Sequence, residues 1–195
     1  MLRKLLKSKR TIILDTSLFV NPDAFCFWGN DSYSALIAFI TAAKKKGIAL
    51  LCPPSIWDEM SYFIEIPKID PALTGYIKKQ YPRRYEISVP GLFLYELVEE
   101  TRNRVNKGLR IAEKYMQKAD IKEKPAGELK KSLRNEYREA LREGILDSCA
   151  DVDILLLARE HRLPIATADN GLKDWSKRLG IEYLDLGELK AELFG

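Results

Sequence analysis

The stretch Thr11-Ile12-Ile13-Leu14-Asp15-Thr16-Ser17 decides the fold. Ile12, Ile13 and Leu14 form a short apolar run, rich in β-branched residues, of the kind that lies inside a parallel sheet covered on both faces. Asp15 stands at the carboxyl end of that run. This is the edge of an open α/β sheet where loops leave the strands and ligands collect. A lone strand-end carboxylate has two readings. It caps the helix that follows, a task Thr16 or Ser17 would perform equally well, or it belongs to a site.

Outward from this stretch, strand and helix alternate. Residues 32–46 predict an amphipathic helix (Leu36, Ile37, Phe39, Ile40, Ala43) closed by Lys44-Lys45-Lys46 and Gly47. Residues 48–52 predict a second buried strand, punctuated by Pro53-Pro54. Ser55 then caps a helix that carries Asp58 and Glu59 near its positive end. Later come a helix around residues 154–157, a strand at 164–168, a helix around Trp175 and a last strand at 183–186. Such an order predicts an α/β fold with a central parallel sheet between helical layers.

The middle reads differently. From about Pro90 to Glu143 the pattern is helical, with a break at Lys124-Pro125-Ala126-Gly127 between two long charged helices. Between Thr101 and Glu143 there are 13 Lys or Arg against 7 Asp or Glu, an excess of +6 where the whole chain carries +4. One reading is a solvated hairpin laced by ion pairs among Glu136, Arg138, Glu139, Arg142 and Glu143. The favoured one is a protruding basic arm, because an excess of one sign suits a surface that follows phosphates. Its apolar positions (Leu109, Ile111, Tyr115, Leu129, Leu133, Tyr137, Leu141) must pack within the hairpin or against another subunit. A second basic cluster, Lys78-Lys79-Gln80-Tyr81-Pro82-Arg83-Arg84-Tyr85, interleaves cations with aromatics. It either grips a nucleic-acid backbone and stacks on bases, or is a surface loop with its tyrosines on the core.

Length and composition set the frame. At 195 residues, 46% hydrophobic and 31% charged, the chain predicts one globular domain: a core of about residues 10–89 and 144–195 with the basic arm, 90–143, inserted. No run approaches a membrane span, and the basic start has too few apolar residues for a signal peptide, so the expected location is the cytoplasm. Cys26, Cys52 and Cys149 are odd in number and far apart, and His161 is the one histidine; neither a disulfide framework nor a zinc site is supported. His161 reads as a solvated residue at a helix C-terminus. Any catalysis therefore falls to carboxylates.

These gather in two further places. In Gly144-Ile145-Leu146-Asp147-Ser148-Cys149-Ala150-Asp151-Val152-Asp153, Asp147 and Asp151 share a helical face if the helix already includes Asp147. Two like charges stacked so repel unless a cation lies between them. The alternative is a cap at Ser148 with Asp151 as its third helical residue. Asp153 points elsewhere around the helix and is left out of the site. Thr167-Ala168-Asp169 then repeats the opening motif, a carboxylate closing a buried strand. Each acid has a separate dull explanation, whereas one site accounts for all of them. Carboxylates and waters suit Mg²⁺ or Mn²⁺, which activate water and stabilise the attacking and leaving oxygens of a phosphodiester.

Asp15-Thr16-Ser17, the helix opening at Pro54-Ser55 and carrying Glu59, the helix start at Ala150-Asp151, and Thr167-Ala168-Asp169 together resemble a PIN-domain nuclease. That resemblance implies a three-layer α/β/α sandwich with a metal-dependent acidic site. Asp15 to Pro22, Arg138 to Ser148 and Asp151 to Ala158, with the long helical insertion, resemble more narrowly the small RNA-free ribonuclease P proteins, the homologues of Aquifex ribonuclease P. Membership implies removal of the 5′ leader of precursor tRNA, leaving a 5′-phosphate. Carried over by motif, Asp15, Asp147, Asp151 and Asp169 are the catalytic and metal-holding carboxylates, with Glu59 at the acidic position of general PIN domains. It also implies homo-oligomers, dimers through the arm that assemble further, whose basic surfaces measure the tRNA. The cations offered to RNA are Lys78, Lys79, Arg83, Arg84, Arg102, Arg104, Lys107, Arg110, Lys114, Lys130, Lys131 and Arg134. The rival readings are a toxin-type PIN endoribonuclease, which would lack the arm, and a non-catalytic RNA-binding scaffold. A haloacid-dehalogenase-type phosphatase is disfavoured, since Ser17 stands where its second Asp belongs.

Overall fold

The computed structural model describes residues 10–121, 125–142, 146 and 148–195. Lys124, Glu143, Gly144, Ile145 and Asp147, all named above, lie outside the described residues, as do the side chains of Leu141 and Arg142. The chain divides into two compact units. One holds the described residues 10–87 and 148–195, the other those between 88 and 146.

The first unit is built on five parallel strands: β1 (Thr11–Leu14), β2 (Ala49–Cys52), β3 (Ile77–Lys79), β4 (Ile165–Ala166) and β5 (Tyr183–Leu184), in the order β3-β2-β1-β4-β5. Every residue of β1 is buried, as its apolar run requires of a central strand. It pairs with β2 through Ile12 and Leu50 on one side, and with β4 through Ile13 and Ile165 on the other. β2 and β4 flank β1 on opposite sides, so the strand order reverses beside β1. In parallel sheets that reversal opens a crevice at the carboxyl edge.

Helices cover the sheet. Short α1 (Ser17–Val20) and α2 (Pro22–Phe25) lead to α3 (Ser32–Lys46), which matches its predicted bounds. Asp31 and Ser34 form its capping box, and Gly47 ends it in the left-handed conformation, φ 72°. Ala35, Leu36, Phe39, Ile40 and Ala43 form its buried stripe, and the Phe39 ring meets Phe19 and Trp28 edge-on. After β2, α4 (Pro54–Ser61) starts one residue earlier than the sequence predicts, because Pro54 takes the first helical position; Ser55 is therefore not its cap. α5 (Pro71–Thr74) precedes β3. α8 (Cys149–His161) leads into β4, α9 (Asn170–Leu179) separates β4 from β5, and α10 (Leu186–Phe194) returns to pack on α3. The sequence pattern does not predict β3: it has three residues and buries only Ile77, too little pattern to read as a strand.

The second unit is a helical hairpin of α6 (Gly91–Asp120) and α7 (Ala126–Arg142). Ile111 and Leu129 are buried, and Gly108 admits the Tyr137 ring so closely that a Cβ there would stand 2.5 Å from it. Glu136 joins the two helices, accepting from Lys114 at 2.6 Å and Tyr115 at 2.9 Å. Leu109 remains exposed, so the predicted apolar positions do not all pack inside the hairpin.

Candidate active site

Asp15 follows β1 at the strand-order reversal and is 4% exposed. It does not cap α1, nor do the side chains of Thr16 and Ser17, whose hydroxyls turn to acids instead. Ser17 donates to Asp15 Oδ2, and Thr167, just beyond β4, donates to the same oxygen at 2.6 Å. The Ala168 N–H bonds Ser17 Oγ and the Asp169 N–H bonds Thr167 Oγ1, both at 2.9 Å. Two hydroxyls thus stitch the ends of β1 and β4 together around one carboxylate. Thr16 Oγ1 donates to Glu59 Oε2 at 3.1 Å, which ties α4 to the same edge.

Burial pushes the Asp15 carboxyl up from 3.8 to about 6; the Ser17 and Thr167 hydroxyls pull it down, and the charges of Asp169 and Glu59 push it up again. That mutual repulsion places Asp15, Glu59 and Asp169 in one electrostatic neighbourhood. Asp169 is exposed and caps α9, its Oδ1 accepting from the Leu172 N–H at 2.7 Å. In all three, the described residues bond one carboxylate oxygen only. Asp151 sits in the first turn of α8, which is capped by Ser148; its N–H bonds Ser148 Oγ and its Oδ2 accepts from the same hydroxyl at 2.9 Å. Capping at Ser148 and at Asp169 is therefore real, and it holds both acids at helix starts. Because α8 runs directly into β4, its N-terminus lies at the carboxyl edge with the others. The described helix begins at Cys149, and Asp147 lies outside the described residues.

Oxygen donors of this kind fit a hard divalent cation. Among the described residues no three acidic, His or Cys side chains stand close enough to hold one ion alone.

The structure revises the second basic cluster. Arg83 bonds Glu160 through its backbone N–H (2.9 Å) and Nε (2.6 Å) and also pairs with Glu86. Arg84 pairs with the buried Asp153, and Lys79 stands 4.6 Å over the Trp57 ring. Tyr81 and Tyr85 face solvent, not the core. His161 is not solvated; its Nε2 lies 2.7 Å from the Gln80 side-chain amide. In the arm, Arg102, Lys107, Arg110, Lys130, Lys131 and Arg134 are exposed, Arg104 is half-buried, and Lys114 is paired with Glu136. The sequence reading missed the hydroxyls of Ser17 and Thr167 as orienting groups. A Ser or Thr two residues from each strand-end Asp was the signal for them. Among the described residues, no helix is long and apolar enough to cross a membrane.

A parallel sheet whose order reverses beside a buried strand-end Asp, with further acids at the neighbouring strand and helix ends, is the architecture of a PIN-type ribonuclease. The family model described as PINc domain ribonuclease matches residues 11–193. Among curated proteins, the chain is 42% identical to the RNA-free ribonuclease P of Thermodesulfovibrio yellowstonii, over 91% of this chain and 90% of that one. It is 36% identical to that of Thermococcus kodakarensis (94% and 93% covered) and 38% identical to that of Pyrococcus horikoshii (93% and 90%). The chain belongs to the family of RNA-free ribonuclease P proteins.

Proposed function

We propose that this endoribonuclease removes the 5′ leader of precursor tRNA at the carboxyl edge of its sheet. The observation that carries the reading is Asp15, a buried carboxylate held by Ser17 and Thr167 against the charges of Asp169 and Glu59. Water attacks the scissile phosphorus, the bond to the leader's 3′ oxygen breaks, the leader departs with a 3′-hydroxyl, and the tRNA keeps the 5′-phosphate. Asp15, Asp151 and Asp169, with Asp147 and Glu59, are the residues that would hold Mg²⁺ or Mn²⁺. Such an ion, when bound, supplies Lewis acidity and lowers the pKa of water. Thr167 and Ser17 fix the Asp15 carboxylate so that its second oxygen faces the ligand in one orientation.

The arm supports the rest of the reading. Tyr95, Val98, Arg102, Val105, Leu109, Ala112 and Met116 recur at alternating steps of three and four along α6, the spacing of a coiled-coil seam, and all but Ala112 are exposed. We assign this seam to a second copy of the chain, as the first step of a larger assembly. Exposed cations on α6 and α7 then serve the tRNA.

The test is incubation of purified protein with 5′-labelled precursor tRNA in Mg²⁺ or in EDTA, beside Asp15→Asn, with mapping of product ends. A single metal-dependent cut at the mature 5′ end, lost in the variant, is the expected result. Scattered cuts would leave a PIN nuclease of other specificity, and intact RNA throughout would leave a binding scaffold.

A further inference from the structure

Residues 80–87 leave the carboxyl end of β3, the sheet edge that also carries Asp15, and a buried carboxylate sets their course. Asp153 is 2% exposed. Arg84 grips it with a fork, Nε to Oδ1 at 2.8 Å and Nη2 to Oδ2 at 2.6 Å, while Ser55 donates to Oδ2 at 2.8 Å. A guanidinium anchored along that edge is fixed in plane and position. Its Nη1 has no hydrogen-bond partner among the described residues, and half of the side chain, 52%, is open to solvent. The Tyr81 ring centre lies 5.6 Å from the guanidinium carbon. Tyr81 and Tyr85 are 57% and 104% exposed, and with Pro82, Arg83, Arg84 and Glu86, whose carboxylate is paired with Arg83, they line a pocket of 280 Å³.

Two exposed tyrosine rings near a fixed cation are not part of the buried core. A free phosphate matches the open edge of the guanidinium, and the face of an unpaired base matches an exposed ring. Bases paired in a stem offer no such face, so the ligand is single-stranded. We infer that the loop Tyr81–Tyr85 is a subsite for the unpaired 5′ leader, with Arg84 on a leader phosphate and the two tyrosines stacked on leader bases. The inference rests on the precursor-tRNA reading above, in which the leader is the unpaired strand on one side of the cut and the other side is paired.

The experiment measures RNA affinity of the full chain in EDTA, so that nothing is cut. Three RNAs are compared: a precursor with a long leader, the same tRNA without it, and the precursor shortened at its unpaired 3′ tail. Wild-type protein is expected to prefer the leader-bearing RNA. Tyr81→Ala/Tyr85→Ala should lose about tenfold for leader-bearing RNA and nothing for the leaderless form. Since both rings are exposed, its melting temperature should not change. Arg84→Lys, which keeps a charge beside Asp153 but not the fork, should lose affinity in the same selective way. Equal losses on leaderless tRNA, losses that track the 3′ tail, or no loss would each overturn the assignment. Whether wild-type protein cuts at the mature 5′ end is scored separately, so a failure of the enzymatic reading stays distinguishable from a failure of the leader subsite.

Discussion

In the proposed reading, Asp15 is the residue at which stability and chemistry conflict. Its folded pKa, about 6, lies above the ordinary 3.8, so burial disfavours the charged form. Below both values the group is protonated in either state and contributes no difference. As pH rises through that window the unfolded chain releases its proton first, and above about 6 the folded state carries the full cost, about 3 kcal/mol. Asp15→Asn should therefore melt above wild type in EDTA at neutral pH, with the gap closing towards pH 4. The same variant should lose cleavage by roughly a hundredfold or more with little change in RNA affinity. A variant that melts lower at every pH would show that the hydroxyl bonds outweigh burial. Thr167→Val keeps the buried shape but removes one donor from Asp15 Oδ2. We expect a rate loss of about tenfold, within the range for orienting partners, and unchanged affinity in a metal-free binding assay.

At the scale of elements, the division of labour falls between helix starts and helix faces. The starts of α8 and α9 hold Asp151 and Asp169 by capping, which couples the local rule for beginning a helix to the placement of acids. The long face of α6 does something else. Its seam of Val98, Val105 and Leu109 is exposed in one chain, an unfavourable arrangement for so many apolar side chains unless another helix covers it. Val98→Glu/Leu109→Glu should leave the helical content intact and reduce the particle mass measured by light scattering. An unchanged mass would remove α6 from the assembly interface. Arg102 lies within this seam, which makes it a weaker candidate for RNA than Lys130, Lys131 or Arg134 on α7.

For the whole molecule, charge is distributed unevenly along the chain. The segment between Thr101 and Glu143 carries +6 and the remainder about −2, so cations collect on the arm while the acidic site sits in the sheet unit. Neutralising Lys107, Arg110, Lys130, Lys131 and Arg134 together should weaken tRNA binding and lower the slope of log affinity against log salt by about one for each phosphate that is no longer neutralised. An unchanged slope would make the arm an assembly device only.

Sequence alone determined the parallel α/β fold, the helical hairpin and the strand-end or helix-start positions of Asp15, Asp151 and Asp169. These follow from short-range rules: buried apolar runs for strands, the stripe of α3, and strand-end or helix-start positions for Asp15, Asp151 and Asp169. It also carried the family resemblance, because the motifs lie in fixed order along the chain. Tertiary structure alone decided which acids share a neighbourhood, that Ser17 and Thr167 converge on one oxygen from 150 residues apart, and that Asp153 is an anchor for Arg84 and not a spare carboxylate. It also turned Tyr81 and Tyr85 outward and made Ile77–Lys79 an edge strand. The physical reason is common to all of these. Hydrogen bonds between groups distant in sequence, and the burial of a charge, depend on which surfaces the fold brings together, and no local pattern encodes that meeting.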